Sequence, residues 1–240
     1  MLMRAMTTTK WAAAGWIAAL GLGVSATAVA EAERAEQLTR IALELDANAE
    51  RGAELYRAQC ADCHGAAAEG KVRQMIPVLA GQRRAYIVKQ LADFVEGDRI
   101  ATQMHRVVSR QAVREPQAWA DLALYLNNLP PPQRTQIGNG RFLQLGEASY
   151  EQWCSSCHDE DGRGDDDGFV PSVRNQHYSY LLKETRNLAA GHRFNVDEDL
   201  RRFLNSLKSD EQQGIADYMS RMQGPLKDRA RMNPDGTVSD

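Results

Sequence analysis

Several features that are rare or missing in the sequence limit the fold classes and the kinds of chemistry that the chain can have. Aromatic residues make up only 7 % of its 240 positions, which is little for the cores of a protein of this length. No segment shows sustained alternation of apolar and polar residues, and this favours an all-helical fold over one built on sheets. After residue 30 no apolar run is long enough to cross a membrane. Cysteine is scarce as well, with four in the chain.

All four cysteines lie in two copies of one short motif. The copies are Cys60-Ala61-Asp62-Cys63-His64 and Cys154-Ser155-Ser156-Cys157-His158. Cys-x-x-Cys-His is the attachment signature of c-type haem, in which two thiols add to the haem vinyl groups and the histidine binds the iron. A chance match or a Cys/His zinc site is the alternative, and the repetition of the motif favours haem. Since no thiol is left over, a disulfide, an iron–sulfur cluster and a cysteine nucleophile are excluded.

The first 30 residues have the pattern of a secretory signal peptide. Arg4 and Lys10 precede an apolar stretch, and Ala28-Val29-Ala30 offers a small-x-small cleavage site. An uncleaved anchor is the alternative, because residues 11–30 are long enough to span a bilayer. Export and attached haem together predict a periplasmic protein.

Cleavage would remove two positive charges and move the net charge from −3 to −5. An acidic protein of this kind is not expected to bind nucleic acid. It favours partner proteins that present a basic docking face.

The chain contains an internal repeat. The two motifs lie 94 residues apart, and the same offset relates further residues along about 50 positions. These pairs are Gly52/Gly146, Tyr56/Tyr150, Gly70/Gly164, Pro77/Pro171, Gln82/Gln176, Tyr86/Tyr180, Lys89/Lys183, Gly97/Gly191 and Arg99/Arg193. Three consecutive prolines after Leu129 predict a linker. We therefore expect a signal peptide at 1–30, a first domain at 31–130, a linker at 131–140, a second domain at 141–224 and a polar tail at 225–240.

Two further patterns predict helices at the ends of the repeat. Leu38, Ile41, Ala42 and Leu45 form an apolar stripe at helical spacing ahead of the first motif. The last helix is predicted to begin at Ser209, with Gln212 completing a capping box, and to stop at Gly224-Pro225.

Most of residues 48–224 resembles the dihaem class I cytochromes c of the cytochrome c4 type. The resemblance rests on the two haem motifs, on the segment Pro77-Val78-Leu79-Ala80-Gly81-Gln82, and on further residues after it: Tyr86, Gln90-Leu91, Phe94, Gly97, Arg99 and Met104. It implies two tandem class I cytochrome c domains, each wrapped around one covalently attached haem c and packed about a pseudo-twofold axis. It also implies that two helices of each domain cross at a contact between a glycine and two tyrosines. In the first domain Gly52 and Tyr56 would meet Tyr125, and in the second Gly146 and Tyr150 would meet Tyr218.

The resemblance assigns roles to individual residues. His64 and His158 would bind iron, with the carbonyls of Pro77 and Pro171 accepting a hydrogen bond from the other ring nitrogen. Met104 would be the sixth ligand of the first haem, and the neighbouring His105 is expected to face solvent. Four residues are expected to contact haem propionates or to pack against the haems, a surface role for the arginines being the alternative: Tyr86, Arg99, Tyr180 and Arg193.

The second domain departs from the family pattern. The window that matches Met104 reads Asp197-Glu198-Asp199-Leu200 and contains no thioether. The second haem is therefore expected to be five-coordinate or to have a different ligand. His192 and His177 are the spare imidazoles of that domain, and His192 lies nearer the expected ligand loop. The aspartate-rich segment 159–167 is expected to be a solvated loop, because it lacks the closing glutamate of a calcium site.

These observations favour an electron carrier that passes single electrons between a respiratory or dehydrogenase donor and a terminal oxidase or reductase. Its partners would then be redox proteins. The alternative is a haem enzyme, or an electron-accepting subunit of an oxidoreductase, with an open or non-methionine-ligated second haem. Nothing in the sequence supports a sensor or an assembly factor.

Overall fold

The structure is a computed structural model that describes residues 26–223 apart from Phe194, with side chains from residue 33 onward. The apolar part of the predicted signal peptide and the predicted polar tail lie outside the described residues. Across the described part the chain forms eleven α-helices and, instead of strands, a few isolated bridges, so the all-α prediction is confirmed. None of the helices in that part has the length and apolar character needed to cross a bilayer.

One helix precedes two similar sets of five. The leading helix is α1 (Ala26–Glu44). The first set comprises α2 (Ala49–Gln59), α3 (Ala61–His64), α4 (Arg84–Glu96), α5 (Thr102–Val108) and α6 (Pro116–Asn128). The second comprises α7 (Leu143–Trp153), α8 (Ser155–His158), α9 (Tyr178–Ala189), α10 (Glu198–Ser206) and α11 (Ser209–Arg221).

The backbone conformation also repeats at the 94-residue offset that relates the two haem motifs. Six pairs of residues separated by 94 positions share a positive φ: Gly65/Asp159, Ala68/Gly162, Gly70/Gly164, Met75/Phe169, Gly81/Asn175 and Gly97/Gly191. Several members are not glycine, although residues with a side chain rarely adopt this conformation. The chain path is therefore conserved between the copies even where the residue type is not.

In each domain the first and last helices of the set cross at a glycine. A Cβ added to Gly52 would collide with the carbonyl oxygen of Asp121 on α6, and one added to Gly146 would collide with that of Gly214 on α11. Beside each crossing two tyrosine rings are in contact, with centroids 5.6 Å apart for Tyr56–Tyr125 and 5.4 Å apart for Tyr150–Tyr218. The predicted glycine–tyrosine crossings are confirmed.

Helix α1 packs on α4 and α6, but not through the predicted stripe alone. Ala35, Thr39 and Ala42 are buried, whereas Ile41 is 41 % exposed, so the apolar stripe only partly coincides with the buried face of the helix. The helix begins at Ala26 and so runs across the predicted cleavage point after Ala30.

Helix α11 begins at Ser209 as predicted, but its capping differs. The backbone N–H of Lys208 donates to Oε2 of Glu211 at 2.8 Å, while the side chain of Ser209 accepts from Gln213 at 3.1 Å. The predicted pairing of Ser209 with Gln212 was therefore wrong by one position. The helix ends at Arg221, and the predicted stop at Gly224 lies outside the described residues.

Candidate haem sites and the interface between them

Each Cys-x-x-Cys-His motif occupies one helical turn at the end of a longer helix. The backbone N–H groups of Cys63 and His64 donate to the carbonyl of Cys60 at 3.1 and 2.9 Å. The matching bonds to the carbonyl of Cys154 measure 3.2 Å from Cys157 and 2.9 Å from His158. One turn therefore brings two thiols and an imidazole together in each domain. Burial raises the pKa of the first thiol of each motif, Cys60 and Cys154, to about 11.

Both motif histidines are held by a proline carbonyl. Nδ1 of His64 lies 3.3 Å from the oxygen of Pro77, and Nδ1 of His158 lies 3.0 Å from that of Pro171. Because a carbonyl can only accept, Nδ1 carries the proton and the Nε2 lone pair is left for a metal. Burial lowers the pKa of both rings, against the opposing effect of the proline carbonyls. The predicted histidine–proline bonds are confirmed, and a fixed neutral imidazole fits haem iron.

The predicted sixth ligand of the first domain lies on α5. Met104 is partly buried and packs against the apolar core of that domain. The neighbouring His105 is exposed, with Nδ1 3.0 Å from the carbonyl oxygen of Phe94. The expected exposure of His105 is thus confirmed, and ligation by Met104 stays a prediction.

A glutamate stands in the second domain where the first domain has Met104. Glu198, which matches Met104 in the repeat, is exposed on the first turn of α10. One turn further along that helix Phe203 contacts Trp153, with ring centroids 5.3 Å apart. Met219 is buried in the core of the domain, and Met222 is partly buried and packs against that core.

The two spare histidines of the second domain have different surroundings. The backbone N–H of Gln136 donates to Nδ1 of His177 at 3.2 Å, and Nε2 of His177 donates to the carbonyl of Glu69 at 2.9 Å. With both ring nitrogens engaged, His177 joins the linker to the first domain and is a poor candidate for an iron ligand. His192 is exposed after the end of α9 and stays the candidate.

The aspartate-rich loop is not simply solvated, so this expectation needs correction. Asp159 pairs with Arg163, and Asp161 pairs with Arg174 at 2.6 Å. Oδ1 of Asp166 accepts from the N–H of Ala85 at 2.9 Å, at the amino end of α4 in the other domain. Carboxylates are attracted to nearby guanidinium groups and to the unpaired N–H groups at the amino end of a helix. Within the described residues no group of side chains forms a metal-binding cluster.

The four residues predicted to contact haem propionates meet at the interface between the domains. Arg99 and Arg193, which are equivalent in the repeat, face each other in an antiparallel bridge, and their side chains are only 11 % and 8 % exposed. Arg99 donates to the hydroxyl of Tyr180 at 3.0 Å, and Arg193 donates to that of Tyr86 at 3.5 Å. A surface role for the arginines is excluded, and propionate contact stays a prediction.

The sequence analysis assigned no role to Gln90 and did not identify Glu184, although these two members of the interface are also equivalent in the repeat. Oε1 of Gln90 accepts from Arg99 at 2.7 Å and from Arg193 at 3.0 Å. Oε2 of Glu184 accepts from the same two arginines at 2.8 and 3.0 Å. Burial opposes ionisation of Glu184, but the arginines outweigh it and hold the pKa of this carboxyl below its usual value. The 94-residue offset was the signal that could have found the pair.

The two domains place a carboxylate and an amide at equivalent positions in opposite order: the first domain has Gln90 and Asp93, and the second has Glu184 and Asn187. In the first domain Gln90 donates to Asp93 at 3.2 Å, and in the second Asn187 donates to Glu184 at 3.2 Å. Asp93 is already paired with Lys89 at 2.8 Å. Two buried guanidinium groups thus share one carboxylate, which leaves excess positive charge between the domains. Such a surplus fits an acidic group, and the propionates of haem meet that description.

Comparison with known proteins gives a family and several relatives. The Cytochrome c family model matches twice, at residues 49–130 and 143–223. A protein of Stutzerimonas stutzeri named thiosulfate dehydrogenase electron acceptor is 30 % identical over 171 residues, which cover 67 % of this chain and 77 % of that protein. A cytochrome c4 of Pseudomonas aeruginosa is 27 % identical over 148 residues, which cover 58 % of this chain and 70 % of that protein.

Solved structures give the same architecture. Reduced cytochrome c4 from Pseudomonas stutzeri aligns with a TM-score of 0.65 at 22 % identity, over 74 % of this chain and 100 % of that one, which supports the fold. Thiosulfate dehydrogenase (TsdBA) from Marichromatium purpuratum aligns with a TM-score of 0.63 at 27 % identity, over 72 % of this chain and 40 % of that one.

Proposed function

The chain belongs to the cytochrome c family, with two domains and two covalently bound haem c groups of the cytochrome c4 kind. On this premise we propose that it carries single electrons in the periplasm. Its donor would be a dehydrogenase or a respiratory protein, and its acceptor a terminal oxidase or reductase. Haem c, when bound, alternates between ferric and ferrous iron and so holds one electron. The residues that hold the two groups in this proposal are Cys60, Cys63, His64 and Met104, and Cys154, Cys157 and His158.

The duplicated histidine support carries this proposal. Each domain fixes the tautomer of its motif imidazole through one proline carbonyl, and the same kind of helix crossing lies next to each motif. A rigid ligand set suits electron transfer because little has to move when the iron changes charge. Two such supports joined by a buried interface suit a carrier that passes an electron from one domain to the other.

The relatives support a dehydrogenase as the donor. One carries the name thiosulfate dehydrogenase electron acceptor, and a structural neighbour is a thiosulfate dehydrogenase. The test is to mix the oxidised holoprotein with a purified thiosulfate dehydrogenase and thiosulfate, and to follow the haem absorption in a stopped-flow instrument. We expect reduction of both haems with the enzyme present and none with thiosulfate alone. If this enzyme does not reduce the haems, thiosulfate dehydrogenase is excluded as the donor. If neither dehydrogenases nor quinol donors reduce them, the proposed carrier function is wrong.

One observation favours a second candidate function, an electron-accepting or catalytic subunit with an open second haem. The position that matches Met104 is an exposed glutamate on α10, and Phe203 of the same helix packs against Trp153 of α7. Carbon monoxide added to the reduced protein separates the candidates. Binding at one haem only indicates an open second site, and binding at neither supports a carrier with two closed sites. His192→Ala should create a high-spin haem only if His192 is the ligand.

A further inference from the structure

A buried glutamine of each domain binds the backbone of the other domain. Oε1 of Gln176 accepts from the N–H of Val78 at 3.0 Å, and its Nε2 donates to the carbonyl of Val78 at 3.0 Å. Oε1 of Gln82 accepts from the N–H of Ser172 at 2.8 Å, and its Nε2 donates to the carbonyl of Ser172 at 3.0 Å. The backbone groups fix the orientation of each amide, because an N–H must donate and a carbonyl must accept.

These contacts are equivalent under the repeat. Gln82 and Gln176 are 94 residues apart, and so are Val78 and Ser172. Both glutamines are buried, with 9 % and 5 % of their surface exposed. An unmade hydrogen bond at such a place leaves a buried polar group without water, so each amide is held firmly in position.

The bound N–H groups belong to the peptide units that orient the iron-binding histidines. The N–H of Val78 and the carbonyl of Pro77 are two ends of one planar peptide unit, and the carbonyl accepts from His64. In the second domain, the N–H of Ser172 shares its peptide unit with the carbonyl that accepts from His158. A hydrogen-bond chain thus runs from a glutamine in one domain to the imidazole in the other.

Hydrogen bonds that are linked in series strengthen one another. Donation by a peptide N–H polarises the same peptide group and makes its carbonyl a better acceptor. A better acceptor on Nδ1 fixes the ring and increases the basicity of the nitrogen that faces the metal. Each glutamine is therefore placed to act on the imidazole of the domain to which it does not belong.

We propose that Gln176 is a positioning residue for His64 and that Gln82 is a positioning residue for His158, so that each domain sets the ligand strength of the imidazole in the other. The proposal rests on the proposed ligation of haem iron by these two histidines. A more basic imidazole stabilises ferric iron, so loss of a glutamine raises the reduction potential of the haem in the opposite domain.

The test is a pair of single substitutions in the holoprotein, Gln176→Met and Gln82→Met. Methionine is close to glutamine in length and fills the same space, but it makes no such pair of bonds. The readouts are the two reduction potentials and the shifted NMR resonances of the two ligand histidines in the oxidised protein. Met104→Ala, which alters the first site alone, assigns the signals. Gln152→Met, at an exposed position on α7, is the matched control and should leave both sites unchanged.

We expect a crossed pattern. Gln176→Met should raise the potential and move the histidine resonances of the first haem, and Gln82→Met should do so for the second. Shifts confined to the domain that carries the substitution, equal shifts at both sites or no shift at either would overturn the proposal. If a variant fails to retain one haem, loss from the opposite domain supports the proposal, whereas loss from its own domain or from both contradicts it. Failure of the unsubstituted protein to hold two reducible haems would instead remove the proposed function.

Discussion

Replacing Glu184 with glutamine removes the one carboxylate that contacts both Arg99 and Arg193 within the described residues. Glutamine keeps the volume and one acceptor oxygen, but it leaves the two buried guanidinium groups without the carboxylate that they share. The three side chains are 8 to 12 % exposed, so solvent screens their interaction little. The substitution should therefore weaken the contact between the domains without altering either attachment motif.

The size of the effect follows from this burial. Breaking a buried ion pair by removing one partner costs about 3 to 5 kcal/mol, and the retained hydrogen bonds place this variant near the lower value. For a chain of this length 1 kcal/mol lowers the melting temperature by about 2–4 °C, so we expect a decrease of about 6–12 °C. Added salt should change the difference little, because screening acts mainly on exposed charges.

The assay is calorimetric unfolding of the haem-loaded protein at neutral pH, and the repeat supplies a rescue. The fourfold variant Q90E/D93N/E184Q/N187D moves the carboxylate to the equivalent side of the interface and keeps the total charge. It should recover most of the lost stability, because Gln90 already contacts both arginines. Glu151→Gln removes an exposed charge of the same domain and should change stability by no more than about 0.5 kcal/mol. A decrease for Glu184→Gln no larger than this control, or no recovery in the fourfold variant, would show that the shared carboxylate does not stabilise the contact between the domains.

Three further substitutions test other parts of the account. Met104→Ala should lower the potential of the first haem, because a thioether stabilises ferrous iron, and the sulfur-to-iron absorption in the near infrared should vanish; survival of that band would exclude Met104 as ligand. Burial lowers the pKa of His177, so stability should fall by up to about 1.4 kcal/mol per pH unit as the pH drops below about 6.5, where the unfolded chain takes up a proton that the folded chain does not. His177→Gln should remove this part of the slope in acid unfolding curves, and equal slopes would contradict it. Gly146→Ala should cost about 1–3 kcal/mol in urea unfolding, because a Cβ there meets the backbone of α11, and an unchanged midpoint would show that the helices can separate freely.

Local chemistry made much of this molecule predictable from its sequence. The haem motifs, the all-helical fold and the histidine–proline bonds depend on residues close together in the chain or on an offset that holds without gaps. The glycine–tyrosine crossings also followed once the family pattern had been recognised, because a close helix approach needs glycine at one position.

The interface between the domains was not predictable in the same way. Pairs such as Gln176 with Val78 or His177 with Glu69 are about a hundred positions apart, and polar residues give no period that indicates a buried partner. The same cause explains the acidic loop, where Asp166 binds the start of α4 in the other domain. Apolar spacing alone likewise did not identify the whole buried face of α1, which includes Ala35 and Thr39 but not Ile41.

Potentiometric titration of the purified holoprotein, monitored by visible spectroscopy, determines whether the chain holds two reducible haems with different ligands. The account predicts two reversible one-electron waves of similar amplitude. The lower wave belongs to the second haem, which lacks a methionine at the position of Met104. A single wave with the amplitude of one haem, or two indistinguishable methionine-ligated haems, would contradict it.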